Sequence, residues 1–389
     1  MEPTSKRPFV SAADAGVVLP PDVLWEILLR VPARPLCRFR AACGLWRSLL
    51  SDPSFVNAHA ALHPDLIVAL AGDYDRIDMT DLSGSVVRQI HIAPEDVGVP
   101  YHAHPGPLYL FLDHNRVRVV DPDTGAVSTL PCDDLQHPYK AVYALGRVAS
   151  TGQHKVLRVV SRYTANRRMQ QHCGVFTLGG DDCWRPMASA PLWVEFHAHP
   201  HHIVAHNAVI KGVVYFLPDR KFPSLARYTN CVMAFDLEAE EWRPATLPGP
   251  PAINDTCEDF ILKLTKLKGS LVMIRHSGGS RRLGPMLLID MWFATDLEKG
   301  LWVKEHRLRL EMPIMSQISV FAPEVHLLRV LDDGRVVFYY SGKKKSWPES
   351  DWRIRIYYPR TKSCTDVPQH GVCYIVGMYG GSMLCLDSR

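Results

Sequence analysis

The sequence has no long apolar run, no paired cysteines and no compact catalytic signature. Stretches such as Leu66 to Ala71 fall far short of the roughly 20 apolar residues that a membrane-spanning helix needs. The first 20 residues hold no hydrophobic signal-peptide core, so the chain reads as intracellular, in the cytoplasm, the nucleus or both. Ten cysteines are present, but none forms a Cys-x-x-Cys pair or a metal-ligand rhythm. Most fall in apolar stretches, where a thiol behaves as a small hydrophobe, and reduced structural thiols are expected. What the sequence has is bulk: 389 residues, 47% hydrophobic and 22% charged, enough for one large domain and a small one. The net charge of +4 is too small to single out a partner.

Motifs that carry chemistry are equally scarce. The segment HAHPHHIVAH (197–206) holds five histidines, and His-x-His spacing suits zinc, yet no acidic or Cys ligand stands fixed beside it. HAHP also occurs at 102–105, so both copies are read as loops leading into an inner strand. SGGSRRLG (277–284) lacks the Gly-Lys-Ser/Thr ending that sets a lysine on a phosphate. There is no Gly-x-Ser-x-Gly elbow. Asp181-Asp182 and Asp332-Asp333 resemble catalytic carboxylate pairs but fall in hairpin turns, where Asp binds its local backbone. No catalytic group, metal or cofactor is expected.

Residues 18–60 read differently from everything after them. Leu19, Val23, Leu24, Ile27, Leu28 and Val31 follow one helical face. Pro20, Pro21 and Asp22 suit a first turn, and Pro32 and Pro35 end the helix. A second stripe, Leu36, Phe39, Cys43, Trp46 and Leu50, recurs at helical spacing, so two short amphipathic helices are predicted. A unit this small rarely closes a core alone, so its apolar faces need covering. Residues 1–17 read as a disordered tail.

From about residue 61 to 389 the pattern becomes period two, with short strands and tight turns. An aromatic-rich strand, a charged or Gly turn and a last strand with Trp or a small residue recur at 74–90, 106–131, 174–187, 212–248, 287–308 and 335–368. The turns at Asp81, Asp121, Leu178, Asp236, Asp296 and Tyr358 are 40 to 62 residues apart, which is blade spacing. An all-β propeller-like domain of about six blades is predicted, with a two-layer sandwich as the competing fold. The C-terminal stretch VCYIVGMYGGSMLCLDSR is too short for a blade, and a hairpin there is expected to complete the first one, because an open ring leaves unpaired strand edges.

LPPDVLWEILLRVPARPLCRFRAACGLWRSLLSDPSF (19–55) closely resembles the F-box. The matched positions are Leu19, Pro20, Asp22, Glu26, Ile27, Leu28, Arg30, Pro32, Leu36, Arg38, Cys43, Trp46, Arg47, Leu50, Pro53 and Phe55. Val31 replaces the usual Leu, and Gly44 stands where Lys is common. The β region, through the phrasing of 236–248, resembles the propeller-type F-box-associated domains of large plant families. The resemblance implies a non-catalytic substrate-recognition subunit of a Skp-cullin-F-box ubiquitin ligase. It would dock the Skp-type adaptor, and through it cullin and RING subunits, with Leu19, Pro20, Val23, Leu24, Ile27, Leu28, Val31, Pro32 and Leu36. The rival is a propeller enzyme or glycan-binding protein carrying an F-box-like hairpin.

Sorting charge by loop adds a candidate recognition face. Loops assigned between second and third strands carry twelve basic and four acidic residues, a net of +8, while third-to-fourth hairpins carry a net of −7. Arg162, Arg167, Arg168, Arg220, Lys221, Arg227, Arg281, Arg282, Lys343, Lys344 and Trp347 are therefore the expected target-binding residues. Arginine and aromatic side chains anchor interfaces, and Arg favours carboxylates and phosphates. A protein target with an acidic or phosphorylated segment is expected, with no membrane or nucleic acid among the partners.

Overall fold

The computed structural model describes residues 20–40, 44–63, 65–71, 75–92, 102–104, 108–113, 116–131, 140–163, 169–195, 207–219, 230–251, 260–280, 284–311, 325–331, 333–343, 350–369 and 373–380. They form two units, one helical and ending at Pro64, the other β and running from Asp65 to Gly380. The predicted 1–17 tail lies outside the described residues.

Among the described residues the helical unit has four helices where two were expected. Pro21 opens α1 (Pro21–Leu29), and Pro32 precedes α2 (Ala33–Phe39). The second apolar stripe is carried by α2 and by α3 (Gly44–Leu50). The missed helix is α4 (Pro53–Leu62): the Asp52 carboxylate caps it by accepting the Ser54 N–H at 2.8 Å, and Pro53 supplies the preset first turn. Leu28, Leu29, Ala33, Leu36, Leu50 and Phe55 are buried together. Trp25 meets Phe55 edge-on at 4.9 Å, and Phe39 meets Trp46 in the same way at 4.9 Å.

His59 of α4 and His63 at its C-cap close the C-terminal end of α1. His63 Nε2 donates to the Leu29 carbonyl at 2.8 Å, and His59 Nε2 donates to the Val31 carbonyl at 2.9 Å. The rings stack 4.1 Å apart. His59 is fully buried, its Nδ1 has no partner among the described residues, and burial holds its pKa below the ordinary 6.5 despite the Val31 bond. The fold thus favours the neutral ring, so its contribution is complete above 6.5 and declines as pH falls through and below that value. Amide-exchange protection of α4 should therefore drop between about pH 7 and 5, and His59→Gln, which keeps an N–H donor, should flatten the profile. A wild-type profile unchanged over that range would contradict this role.

The β unit is a ring of six sheets. Blade 1 begins with β1 (Asp65–Ala71), β2 (Arg76–Thr80) and β3 (Val86–His91). Blade 2 holds β4 (His102–His104), β5 (Tyr109–Asp113), β6 (Arg116–Val120) and β7 (Val127–Thr129). Blade 3 holds β8 (Lys140–Arg147), β9 (His154–Tyr163), β10 (Met169–Thr177) and β11 (Arg185–Met187). Blade 4 holds β12 (Asn207–Ile210), β13 (Val213–Phe216) and β14 (Cys231–Asp236), its fourth place shared by β15 (Glu241–Trp242) and β16 (Leu247–Pro248). Blade 5 holds β17 (Phe260–Leu267), β18 (Ser270–Ser280), β19 (Gly284–Asp296) and β20 (Leu301–Glu311). Blade 6 holds β21 (Val325–Val330), β22 (Val336–Lys343), β23 (Ser350–Tyr358) and β24 (Ser363–Asp366). All pairings are antiparallel, and strand order follows chain order except in blade 1, where β25 (Cys373–Gly380) pairs with β1. The six first-position strands, β25, β4, β8, β12, β17 and β21, each lie against the next, and β21 returns to β25. Closure at the first blade is as expected, but the described residues make it with one strand instead of a hairpin.

The core lies between blades. Leu66, Val68 and Leu70 of β1 pack with Ile77, Met79, Tyr109 and Val120 toward blade 2. The alternate residues Ile67 and Ala69 pack with Val337, Tyr339 and Ile356 toward blade 6. With both faces covered, β1 reads as a continuous apolar run and loses the alternation of a half-exposed strand. Four further clusters fill the remaining gaps between neighbouring blades.

Three tryptophans tether blades 3, 4 and 5 to the blade before. Trp184, Trp242 and Trp302 donate from Nε1 to the carbonyls of Pro131, Ala188 and Pro248 at 2.9, 3.1 and 2.8 Å. These are the Trp positions that mark the last strand of the sequence repeat.

Deleting Cys373 onward would strip β25 from β1 and open the ring at β4 and β21. The expected product is an aggregating chain with a lowered melting temperature, checked by size-exclusion chromatography and thermal melting. An unchanged soluble monomer would contradict closure by β25.

Candidate functional site

The predicted docking stripe on α1 divides into two faces. Leu28 and Leu36 are 2% and 0% exposed, so they hold the helical unit together and cannot touch a partner in this state, which corrects their assignment as contact residues. Val23 and Ile27 are 40% and 44% exposed and, four residues apart, share one face. Pro20 and Pro32 are exposed, and Leu24 and Val31 are partly buried. Leu19 lies outside the described residues. The physical reason is geometric: apolar positions at both four- and five-residue spacing cover more than one helical face, and α2 to α4 cover only part of it. Leu62, near the end of α4, is also exposed, and no periodic signal marked it.

Strand order places the predicted target-binding loops where expected, between the second and third strands of blades 2 to 6. Arg162 ends β9 opposite Gln170 of β10, and Lys343 ends β22. Arg167, Arg168, Arg220, Lys221, Arg227, Arg281, Arg282, Lys344 and Trp347 lie outside the described residues. Topology also corrects the charge of the face. The equivalent connection in blade 1 carries Asp73 and Asp75, which lowers the loop total to +6. The connections between blades emerge on the same side of the ring and carry nine acidic residues with no Lys or Arg. By sequence and strand order, basic loops therefore alternate with acidic connections on this side, and a uniformly basic set was not the right expectation.

On the opposite side the acids are used locally. The Asp236 carboxylate accepts the N–H groups of Glu238 and Ala239 at 2.9 and 3.2 Å, and Asp296 accepts those of Glu298 and Lys299 at 2.9 and 3.0 Å. These N–H groups, with that of Lys299 foremost, hold the Asp296 carboxyl below the usual range. Asp181 accepts the Thr177 N–H at 2.7 Å, and Asp333 accepts that of Arg335 at 3.0 Å. Both suspected carboxylate pairs thus contribute a turn-forming residue. Glu240 is not free surface charge: it binds Lys155 at 2.6 Å and also pairs with Arg185, tying blade 4 to blade 3.

Other tempting segments resolve into architecture. His102–His104 is the inner strand β4 itself, not a loop before it, and 197–206 lies outside the described residues. SGGSRRLG joins β18 to β19 as a strand hairpin, whereas a phosphate loop leads from a strand into a helix. Cys173 is buried and its thiol pKa is pushed up to about 11 by that burial, which suits a packing role.

Comparison with known proteins follows the same division. The F-box domain matches residues 18–57, and the F-box associated beta propeller domain matches residues 84–375. Among similar Arabidopsis thaliana proteins, the F-box/LRR-repeat/kelch-repeat protein At2g27520 is 26% identical over 364 residues, covering 87% of this chain and 95% of that protein. The F-box/LRR-repeat protein At2g43260 is 23% identical over 358 residues, covering 85% and 77%. F-box only protein 8 is 25% identical over 249 residues, covering 59% and 80%. With a four-helix unit, a six-blade ring and a propeller match spanning most of its length, this chain belongs to the F-box proteins that carry an F-box associated beta propeller domain.

Proposed function

We propose that the chain is the substrate-recognition subunit of a Skp-cullin-F-box ubiquitin ligase, working in the cytoplasm, the nucleus or both. The helical unit docks the Skp-type adaptor, and through it cullin and RING subunits, while the propeller holds a protein target. It acts by raising the local concentration of target at the ubiquitin-charged enzyme and performs no bond chemistry. The observation that carries this reading is the exposed pair Val23 and Ile27, an uncovered apolar face on a unit of F-box sequence. Burying such a side chain contributes about 1.5–3 kcal/mol. Val23→Asp with Ile27→Asp should leave the unit folded and weaken adaptor binding roughly a hundredfold or more, measured by calorimetry. Leu28→Asp should instead unfold the unit. A folded double variant that binds the adaptor with wild-type affinity would refute the docking face.

The basic second-to-third-strand loops support target capture through an acidic or phosphorylated segment, since Arg pairs with carboxylate and phosphate through charge-assisted bonds. Changing Arg167, Arg168, Arg281 and Arg282 to Glu should abolish target ubiquitination and leave adaptor binding intact. Glu238→Gln with Glu298→Gln is the control for the opposite side, because both are exposed, whereas Glu240 binds blade 3. Unaltered ubiquitination by the Arg variant would place recognition elsewhere on the propeller.

A further inference from the structure

The outer half of blade 5 carries an ordered array of cations on one face. Residues directly opposite each other in antiparallel strands share a face, so β18, β19 and β20 form three successive rows: Met273, Trp292 and Lys304; Arg275, Asp290 and Arg307; Ser277, Leu288 and Arg309. Met273 and Trp292 pack toward blade 4, which fixes the side on which all three rows lie. The rows hold four cations and a single carboxylate. Asp290 is 7% exposed and serves two of the cations at once. Arg307 donates to it from Nε at 2.6 Å and from Nη2 at 3.0 Å, and Lys304 Nζ lies 2.8 Å from Oδ1. The Lys304 ammonium also stands 5.0 Å from the centre of the Trp292 ring, and the Arg275 guanidinium stands 4.6 Å from that of Phe260. These contacts hold the cations in place without cancelling them, because one negative charge is shared between two of them. Arg309, in the next row, is exposed and takes part in no ion pair among the described residues. The row beyond it, Met286 with Glu311, ends the basic stretch. At the other end Trp302 is tied to Pro248 of blade 4.

We propose that Arg309, Arg307 and Lys304 form a docking strip for an extended acidic segment of the target protein. The proposal rests on the target-receptor reading above and names a subsite within it. The three cations stand opposite Leu288, Asp290 and Trp292, two residues apart along β19. At roughly 3.4 Å per residue the strip is about 14 Å long. That is too long for a single carboxylate or phosphate group, and it matches three alternate side chains of an extended chain. Charge sets the chemistry of the occupant: four cations less one carboxylate leave the rows a net of +3, and Arg takes carboxylates through charge-assisted bonds. Arg307 commits Nε and Nη2 to Asp290, which leaves Nη1 for an incoming group. Because Asp290 already orients Arg307 and Lys304, less side-chain freedom is lost when the segment binds. The strip leads toward the β18–β19 connection that carries Arg281 and Arg282, so one segment can reach from that loop down the side of blade 5.

The test uses the full chain purified with the Skp-type adaptor and a random heptapeptide display library as the probe. Enriched peptides should carry Asp or Glu at alternate positions and should shield Lys304 from amine-reactive labelling. Their affinity should fall at least about tenfold on Arg309→Glu, an exposed change that leaves melting temperature and adaptor affinity as they were. Failure to enrich any peptide, enrichment of peptides without acids, or unchanged affinity on Arg309→Glu would overturn the proposal. Tighter binding of an RNA or DNA oligonucleotide of equal charge, lost on Arg309→Glu, would assign the strip to nucleic acid and overturn it as well. Target ubiquitination separates this subsite from the receptor reading. Its loss on Arg309→Glu supports both, whereas wild-type ubiquitination by Arg309→Glu that Arg281→Glu with Arg282→Glu abolishes leaves the receptor reading standing and removes the subsite.

Discussion

The pairing of β25 with β1 is the constraint on which the propeller depends. Seven residue pairs, from Asp65 with Gly380 to Ala71 with Cys373, join the two ends of the β unit. Blades 2 to 6 are local meanders, so each can form from contacts close in sequence. The first cannot, because its inner strand comes from the far end of the chain. Loop-closure entropy grows only slowly with length, about 0.6 kcal/mol per doubling, so a long closing contact is affordable once neighbouring blades have ordered the ring. The benefit is large, because β25 also provides the wall against which β4 and β21 lie.

Between blades, stability comes from repetition of a few devices. Alternate residues of each buried strand fill the gaps on either side, as β1 shows with Ile67 toward blade 6 and Val68 toward blade 2. The Trp184, Trp242 and Trp302 indoles add a directional bond across successive gaps. Ion pairs serve the same end between blades 3 and 4, where Lys155 also donates to the Leu237 carbonyl at 2.8 Å. Aspartates such as Asp81, Asp121, Asp181, Asp236 and Asp296 fix where hairpins of blades 1 to 5 reverse. The outcome is a rigid scaffold whose connections vary freely in length and charge.

The two units divide the work along physical lines. The helical unit is small, and its core of Leu28, Leu36, Leu50 and Phe55 leaves an apolar pair uncovered, which suits obligate docking to one partner. The propeller, by contrast, fills each gap between neighbouring blades with its own apolar cluster. Blades 3 and 6 share one irregularity: in each the third strand outruns the fourth at the end facing the second-to-third-strand loops.

Much of the architecture was legible in the sequence because periodicity and turn chemistry are local. The α1 stripe, the Asp and Gly turns and the recurring Trp indicated a helical unit followed by six blades, and the F-box pattern at 19–55 named the first of these. α4 lay outside the two predicted helices although Asp52 and Pro53 carry its start signal, and the ring has six second-to-third-strand connections where five were predicted. What the sequence could not decide was exposure. Whether Ile27 or Leu28 faces outward depends on how α2, α3 and α4 pack, and whether Glu240 is free depends on Lys155 in another blade. Local sequence determines which segments are strands and helices; which of their edges and faces remain uncovered is set by contacts between residues far apart in the chain.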